Sequence, residues 1–193
     1  MKKTLYLMRH GETLFNQLHK IQGWCDSPLT ERGIRQAKIA GEYFREQEIL
    51  IEAAYCSTSE RTSDTLELIT ELPYQRLKGL KEWNFGTLEG ESEENNPPLP
   101  YGDYFADFGG EKELELRHRV ASTLQRVMEE TTAQTVLAVS HGASCRQFMR
   151  HWEHTSEITH EGRLQNCGIL IFHYENQAFS LQEIVLHDFQ ALV

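Results

Sequence analysis

The chain has 193 residues, 39% of them hydrophobic and 25% charged, and a formal net charge of −10 at pH 7. That length and composition fit a folded chain able to bury a core without covalent staples, and point to one domain across 1–193. The acidic balance opposes nucleic-acid binding, because a phosphate backbone would be repelled at long range, and no stretch approaches the length of a membrane span.

Residues 3–8, KTLYLM, read as a short strand that stops at Arg9, His10 and Gly11. The apolar run is too short for a signal peptide. A helix is expected over 30–46, with Thr30 as N-cap and Ile34, Ala37, Ala40, Gly41 and Phe44 on its small or apolar stripe. A second strand follows at 52–57. A helix over 60–71 places Thr62, Leu66 and Ile69 on one face, with Pro73 beyond its end. From 81 to 110 the periodicity is lost among prolines, glycines and acids, and this irregular excursion is expected to cap a substrate site. A helix over 111–131 precedes the clearest buried strand, 134–139. "SHG" and a helix from 143 to about 152 come next, then a strand pair over 167–186 that turns at Glu175 and Asn176. Residues 153–166 and the tail after Val185 carry no readable pattern.

Strands that alternate with helices imply an α/β fold, three layers deep. The sheet should be mostly parallel, with an antiparallel C-terminal element. Cys25, Cys56, Cys145 and Cys167 form no CxxC pair and read as free thiols in a reducing cytoplasm.

In such sheets, ligands bind beyond the carboxyl ends of the strands. The first strand delivers Arg9 and His10 there, the second is followed by Arg61 in a helical first turn, and the third by His141 at a helix N-terminus. Two arginines, two histidines and a helix N-terminus gathered at one point would hold a phosphate. One imidazole can then act as a neutral nucleophile, its other nitrogen held protonated by a backbone carbonyl, while the second stays cationic beside the phosphate. The alkoxide that leaves needs a proton, and Glu82, beside Trp83 and Phe85, is the candidate acid.

"LMRHGET" (7–13) with Asn16, "IQGWCDSPLTERGIRQA" (21–37), "CSTSERTSDT" (56–65), "LKEWNFGTLEG" (80–90), "GGE" (109–111) and "VSHGAS" (139–144) together resemble the histidine phosphatase superfamily, in its phosphoglycerate mutase-like branch. The resemblance implies a phosphorylated His10, a phosphoryl group held by Arg9, Arg61 and His141, and Glu82 as proton donor. It implies Asn16 and Gly142 in the phosphate pocket and Gln22 and Gly23 in the loop beside the substrate. No metal and no other cofactor are implied, and "HWEH" (151–154) lacks the order of a metal-binding HExxH.

Within this branch the reaction is hydrolysis of a phosphomonoester or transfer of phosphate between hydroxyls of a phosphoglycerate. A mutase needs extra basic residues at the pocket mouth, whereas Glu82 to Leu116 contains ten acids and one base, Lys112. The expectation is therefore a phosphatase acting on a small phosphomonoester. The rings of the excursion offer an aromatic wall suited to an uncharged or bulky leaving group. The alternatives are a cofactor-dependent phosphoglycerate mutase and a weakly catalytic protein that binds phosphorylated ligands. The state of assembly, a homodimer included, is left open.

Overall fold

The computed structural model describes residues 2–192. One mixed sheet is built from β1 (Lys3–Arg9), β2 (Ala53–Ser57), β3 (Tyr74–Leu77), β4 (Thr135–Ser140), β5 (Ile169–Glu175) and β6 (Ala178–Val185), in the order β3-β2-β4-β1-β5-β6. The first four strands are mutually parallel, while β5 runs antiparallel to β1 and β6 antiparallel to β5.

Five α-helices accompany the sheet: α1 (Leu14–Gln17), α2 (Glu31–Glu46), α3 (Glu60–Glu67), α4 (Glu113–Glu130) and α5 (Gly142–His151). Side chains alternate across β1. Leu5 and Leu7 enter a core with Val136, Ala138 and Phe172, closed by Leu116, Val120 and Leu124 of α4 and Phe148 of α5. Met8 enters the opposite core with Leu137, Val139 and Ile169, closed by Ala37, Ala40 and Phe44 of α2 and Leu66 of α3. Burial on both faces is why β1 and β4 read as continuous apolar runs rather than alternating ones. None of the described helices is long and apolar enough to cross a membrane.

Thr30 caps α2 by accepting from the Gly33 N–H at 3.0 Å. Gly41 sits where a Cβ would come within 3.3 Å of the Ile69 Cα and the Leu68 carbonyl oxygen. Close approach to the segment after α3 explains a mid-helix glycine that otherwise costs about 1 kcal/mol.

Three elements differ from expectation. The helix expected over 60–71 ends at Glu67, because the N–H groups of Ile69 and Thr70 both turn onto the Leu66 carbonyl. β3 carries no sequence signal, since its four residues YQRL are half polar and pair only with β2 at the sheet edge. α1 is a single turn, held by the reciprocal capping of Thr13 and Asn16.

The adjacency of β2, β4 and β1 positions the site. Arg9 lies opposite Ser140, and Cys56 opposite Val139. The three carboxyl ends that carry Arg9-His10, Arg61 and His141 are therefore neighbours.

Candidate active site

His10 leaves the end of β1 with its backbone N–H on the Ser140 carbonyl at 3.1 Å. Its ring Nδ1 lies 2.7 Å from the carbonyl oxygen of Gly11, an acceptor only, so Nδ1 carries the proton. Nε2 is left with a free lone pair. The Nε–H of Arg61 points at that lone pair from 3.3 Å. The ring of His141 meets the His10 ring edge-on, with centroids 5.3 Å apart.

Arg61 is 1% exposed and held almost completely by protein acceptors. Nη1 donates to the Cys25 carbonyl at 3.0 Å and to Asp26 Oδ1 at 2.8 Å, and Nη2 donates to the Gly23 carbonyl at 2.8 Å. Of the five guanidinium N–H donors, these contacts and the one to His10 take four. Asp26 also accepts from the Glu60 N–H at the start of α3, so one carboxylate ties the loop over 23–26 to both the helix and its arginine.

Arg9 and His141 are bound less completely. Arg9 Nη1 donates to the Leu164 carbonyl at 2.6 Å, but its Nε has no partner among the described residues. Neither ring nitrogen of His141 has one, although the residue is 0% exposed. Buried polar groups are costly unless hydrogen-bonded. Three such atoms belong to residues next to His10, Arg9 by sequence and His141 by ring contact.

Burial, then the cations of Arg61 and Arg9, hold His10 well below its ordinary value of 6.5. His141 is lowered in the same way, first by burial and then by Arg61. Both rings are neutral at neutral pH in the free protein. The cationic second histidine expected beside a bound phosphate is a different state from this one: without an anion, an imidazole enclosed beside two guanidinium groups does not keep a proton. Arg9 is pushed down to about 10, chiefly by burial, and remains charged.

Glu82 is buried, and its carboxylate meets the first turn of α5. Oε2 accepts from the Ala143 N–H at 2.9 Å, and Oε1 accepts from the N–H groups of Ser144 and Trp83, both at 2.9 Å. The positive end of the helix thereby fixes this acid.

A cavity of about 60 Å³ is lined by Arg9, His10, Asn16, Gln22, Glu82 and Gly142. Arg61, His141 and Gly23 do not line it. Arg61 and His141 reach the cavity through the His10 ring, and Gly23 through its carbonyl on Arg61. Asn16 is oriented by accepting from Asn166 Nδ2 at 3.1 Å, and Gln22 by accepting from the Thr13 hydroxyl at 2.7 Å. Six of the nine predicted site residues line this cavity, while Arg61 and His141 touch the His10 ring and Gly23 touches Arg61.

Sequence reasoning missed Lys20, Arg146 and Arg163 on the cavity wall, and Asn166, which also donates to the His10 carbonyl at 3.1 Å. Arg146 had a legible signal: it lies four residues after Gly142, one turn along the same helical face. Arg163 and Asn166 lie in a patternless segment that gave none. The expected acidic mouth is also corrected. Of the ten acids over 82–116, only Glu82 and Glu93 line the cavity. Glu89 accepts from the Trp24 N–H at 2.8 Å, while Glu111 and Glu113 pair with Arg119 and Arg117. The aromatic wall is mostly internal packing. Phe105 is fully buried against Trp83, Phe85, Tyr101 and Tyr104, and only Phe85 and Tyr101 reach the cavity.

The family model of the histidine phosphatase superfamily, branch 1, matches residues 5–187. An acid phosphatase of Mycobacterium tuberculosis is 31% identical over 153 residues, covering 77% of this chain and 74% of that protein. A 2,3-bisphosphoglycerate-dependent phosphoglycerate mutase of Bacteroides fragilis is 27% identical over 197 residues, covering 80% of this chain and 79% of the relative. The crystal structure of a phosphoserine phosphatase from Entamoeba histolytica in complex with 3-phosphoglyceric acid superposes with a TM-score of 0.77 at 27% identity, covering 97% of this chain and 98% of the other. A family match over nearly the whole chain, and solved relatives with the same sheet and flanking helices, agree with what the residues at the strand ends imply: the chain belongs to the histidine phosphatase superfamily.

Proposed function

We propose that this protein is a phosphatase that hydrolyses a small phosphomonoester through a phosphohistidine on His10, without a metal ion. The observation that carries this reading is the neutral, buried Nε2 of His10, aligned by the Gly11 carbonyl and Arg61. The lone pair of Nε2 attacks phosphorus as the P–O bond to the alcohol breaks. Arg61 releases Nε2 and turns its Nε–H to a phosphoryl oxygen, while Arg9 and His141 supply the other donors. Glu82 gives a proton to the departing oxygen. In the second half, Glu82 takes a proton from water. The resulting P–O bond replaces the P–N bond, inorganic phosphate leaves, and His10 returns to its neutral form. The guanidinium groups supply the positive charge that a metal would otherwise bring.

Similarity to an acid phosphatase and to a phosphoserine phosphatase supports hydrolysis. The second reading is phosphoglycerate mutase, favoured by Lys20, Arg146 and Arg163 at the cavity and by the mutase relatives. The deciding assay compares release of inorganic phosphate with isomerisation of 3-phosphoglycerate in the presence of its bisphosphate. An acid-labile phosphoenzyme should form on wild-type protein and be absent from His10→Ala. Turnover that survives in His10→Ala overturns the reading.

A further inference from the structure

Glu82 stands on a stretch, residues 81–85, that belongs to no helix or strand and follows a single short turn, Lys78–Leu80. Its main chain is held instead by side chains, which occupy four consecutive carbonyls, 79 to 82. The Leu80 carbonyl accepts from the Ser140 hydroxyl and the Lys81 carbonyl from the Ser144 hydroxyl, both at 2.8 Å. The Glu82 carbonyl accepts from the Trp24 indole N–H at 3.1 Å.

Arg119 of α4 reaches three of these carbonyls at once. Its Nη1 donates to Gly79 and Lys81, both at 2.9 Å, and its Nη2 donates to Glu82 at 3.1 Å. Nε and Nη2 also meet the two carboxylate oxygens of Glu111, both at 2.7 Å. All five guanidinium N–H groups are thus engaged. Glu111 closes the "GGE" motif, which has no part in the proposed mechanism. Its N–H donates to the Asn84 carbonyl at 2.9 Å, and its own carbonyl accepts from the Trp83 indole. An isolated exposed ion pair contributes little to stability. This pair is largely shielded, and the other donors of its arginine all go to one stretch without regular structure, so what it supplies is geometry.

We propose that Arg119, oriented by Glu111, is a positioning residue for the acid Glu82. Neither side chain lines the cavity. Arg119 fixes the main chain of the acid, while the first turn of α5 fixes its carboxylate through the N–H groups of Ala143 and Ser144. With both ends of the residue held, the carboxyl group keeps its distance to the departing oxygen, and a misplacement of about 1 Å can cost about 100-fold in rate. The compact ammonium of a lysine cannot span three carbonyls and a carboxylate, whereas the planar fork of an arginine does. This inference rests on Glu82 being the acid, as the phosphatase reading holds.

The test uses the leaving group to separate positioning from a general loss of structure. Para-nitrophenyl phosphate and phenyl phosphate present rings of similar size, but nitrophenolate departs without a proton and the more basic phenolate gains from one. For Arg119→Met, kcat/KM for phenyl phosphate should fall about ten-fold or more, and that for para-nitrophenyl phosphate by less than about three-fold. Arg119→Lys, which keeps the charge, should recover part of the loss, and Glu111→Gln should show a smaller loss with the same selectivity. In a Glu82→Gln background, adding Arg119→Met should change the ratio of the two kcat/KM values by less than about two-fold, since the group it positions is gone. Melting temperatures show which variants keep the fold, and Glu111→Gln carries the test if Arg119→Met unfolds. Equal slowing of both esters, unchanged rates for both, or a selective loss that persists in full in the Glu82→Gln background overturns the positioning role. If Glu82→Gln by itself slows both esters equally, the acid assignment fails and takes this inference with it. A selective Glu82→Gln beside an unselective Arg119→Met overturns the positioning role alone.

Discussion

Arg61 donates its Nε–H to Nε2 of His10 at 3.3 Å, while Asp26 holds the far side of the same guanidinium at 2.8 Å. The arginine thus faces the His10 lone pair while its own orientation is set by a carboxylate on a separate loop. Most of its hydrogen-bonding capacity is spent on this. What remains for a phosphate, on the proposed mechanism, is one Nη2 donor and the Nε–H now on His10.

Asp26 is accordingly a positioning residue. Arg61→Ala should lose roughly 3 kcal/mol of transition-state stabilisation, the loss typical of one preorganised donor. Asp26→Ala keeps the guanidinium but loosens it, and phosphoenzyme formation should slow by about ten-fold or more with a smaller change in KM. Rapid-quench measurement of the phosphoenzyme burst checks this. An Asp26→Ala burst as fast as wild type would remove Asp26 from the mechanism.

Glu82 accepts three backbone N–H groups, so Glu82→Gln turns an amide NH2 toward some of these donors. The variant should be less stable by about 1–3 kcal/mol, since a buried acceptor is lost. If Glu82 is the acid, its turnover of an alkyl phosphate should fall far more than that of an aryl phosphate, whose leaving group needs no proton. Equal slowing of both substrates would count against the role.

The two imidazoles should respond to pH through burial. Their folded pKa values lie well below 6.5, so the unfolded chain binds more protons as pH falls past that value. Stability contributed by these rings is present above about pH 6.5 and lost as the pH drops toward their folded values. A bound oxyanion favours the charged ring and raises those values. Sulfate binding near pH 6 should therefore take up protons, read by calorimetry in two buffers of different protonation enthalpy. Zero uptake would mean that neither ring meets the anion.

Gly23 has no room for a side chain: a Cβ there would lie 2.1 Å from the Trp83 carbonyl oxygen. Gly23→Ala must move the loop whose carbonyl receives Arg61 Nη2 at 2.8 Å. Turnover should drop by about ten-fold or more while the protein stays folded. Circular dichroism and an aryl phosphate assay, run side by side, test the separation.

The gathering of the candidate residues was legible in the sequence because it follows a local rule. Arg9, His10, Arg61 and His141 each come directly after an apolar strand or in the next helical turn, and parallel sheets collect such positions at one edge. Glu82 was found by residue type and neighbourhood, but its attachment to the N–H groups of Ala143 and Ser144 was not, since 61 and 62 residues separate the partners. Arg163 and Asn166 left no trace in a segment without periodicity. The mouth was misjudged because charge was counted along the chain, whereas Glu89, Glu111 and Glu113 are turned onto partners away from the cavity.

The sequence by itself determined the α/β class, the mostly parallel sheet with its antiparallel end, and the residue types at the strand ends. Hydrophobic periodicity and strand-end chemistry are local properties that need no third dimension. Only the tertiary structure decided that both histidines are neutral in the free protein, that Asp26 holds Arg61, and that Arg119 grips the segment carrying Glu82. Those depend on burial and on contacts between distant segments, such as Arg9 on the Leu164 carbonyl across 155 residues, and packing alone sets them.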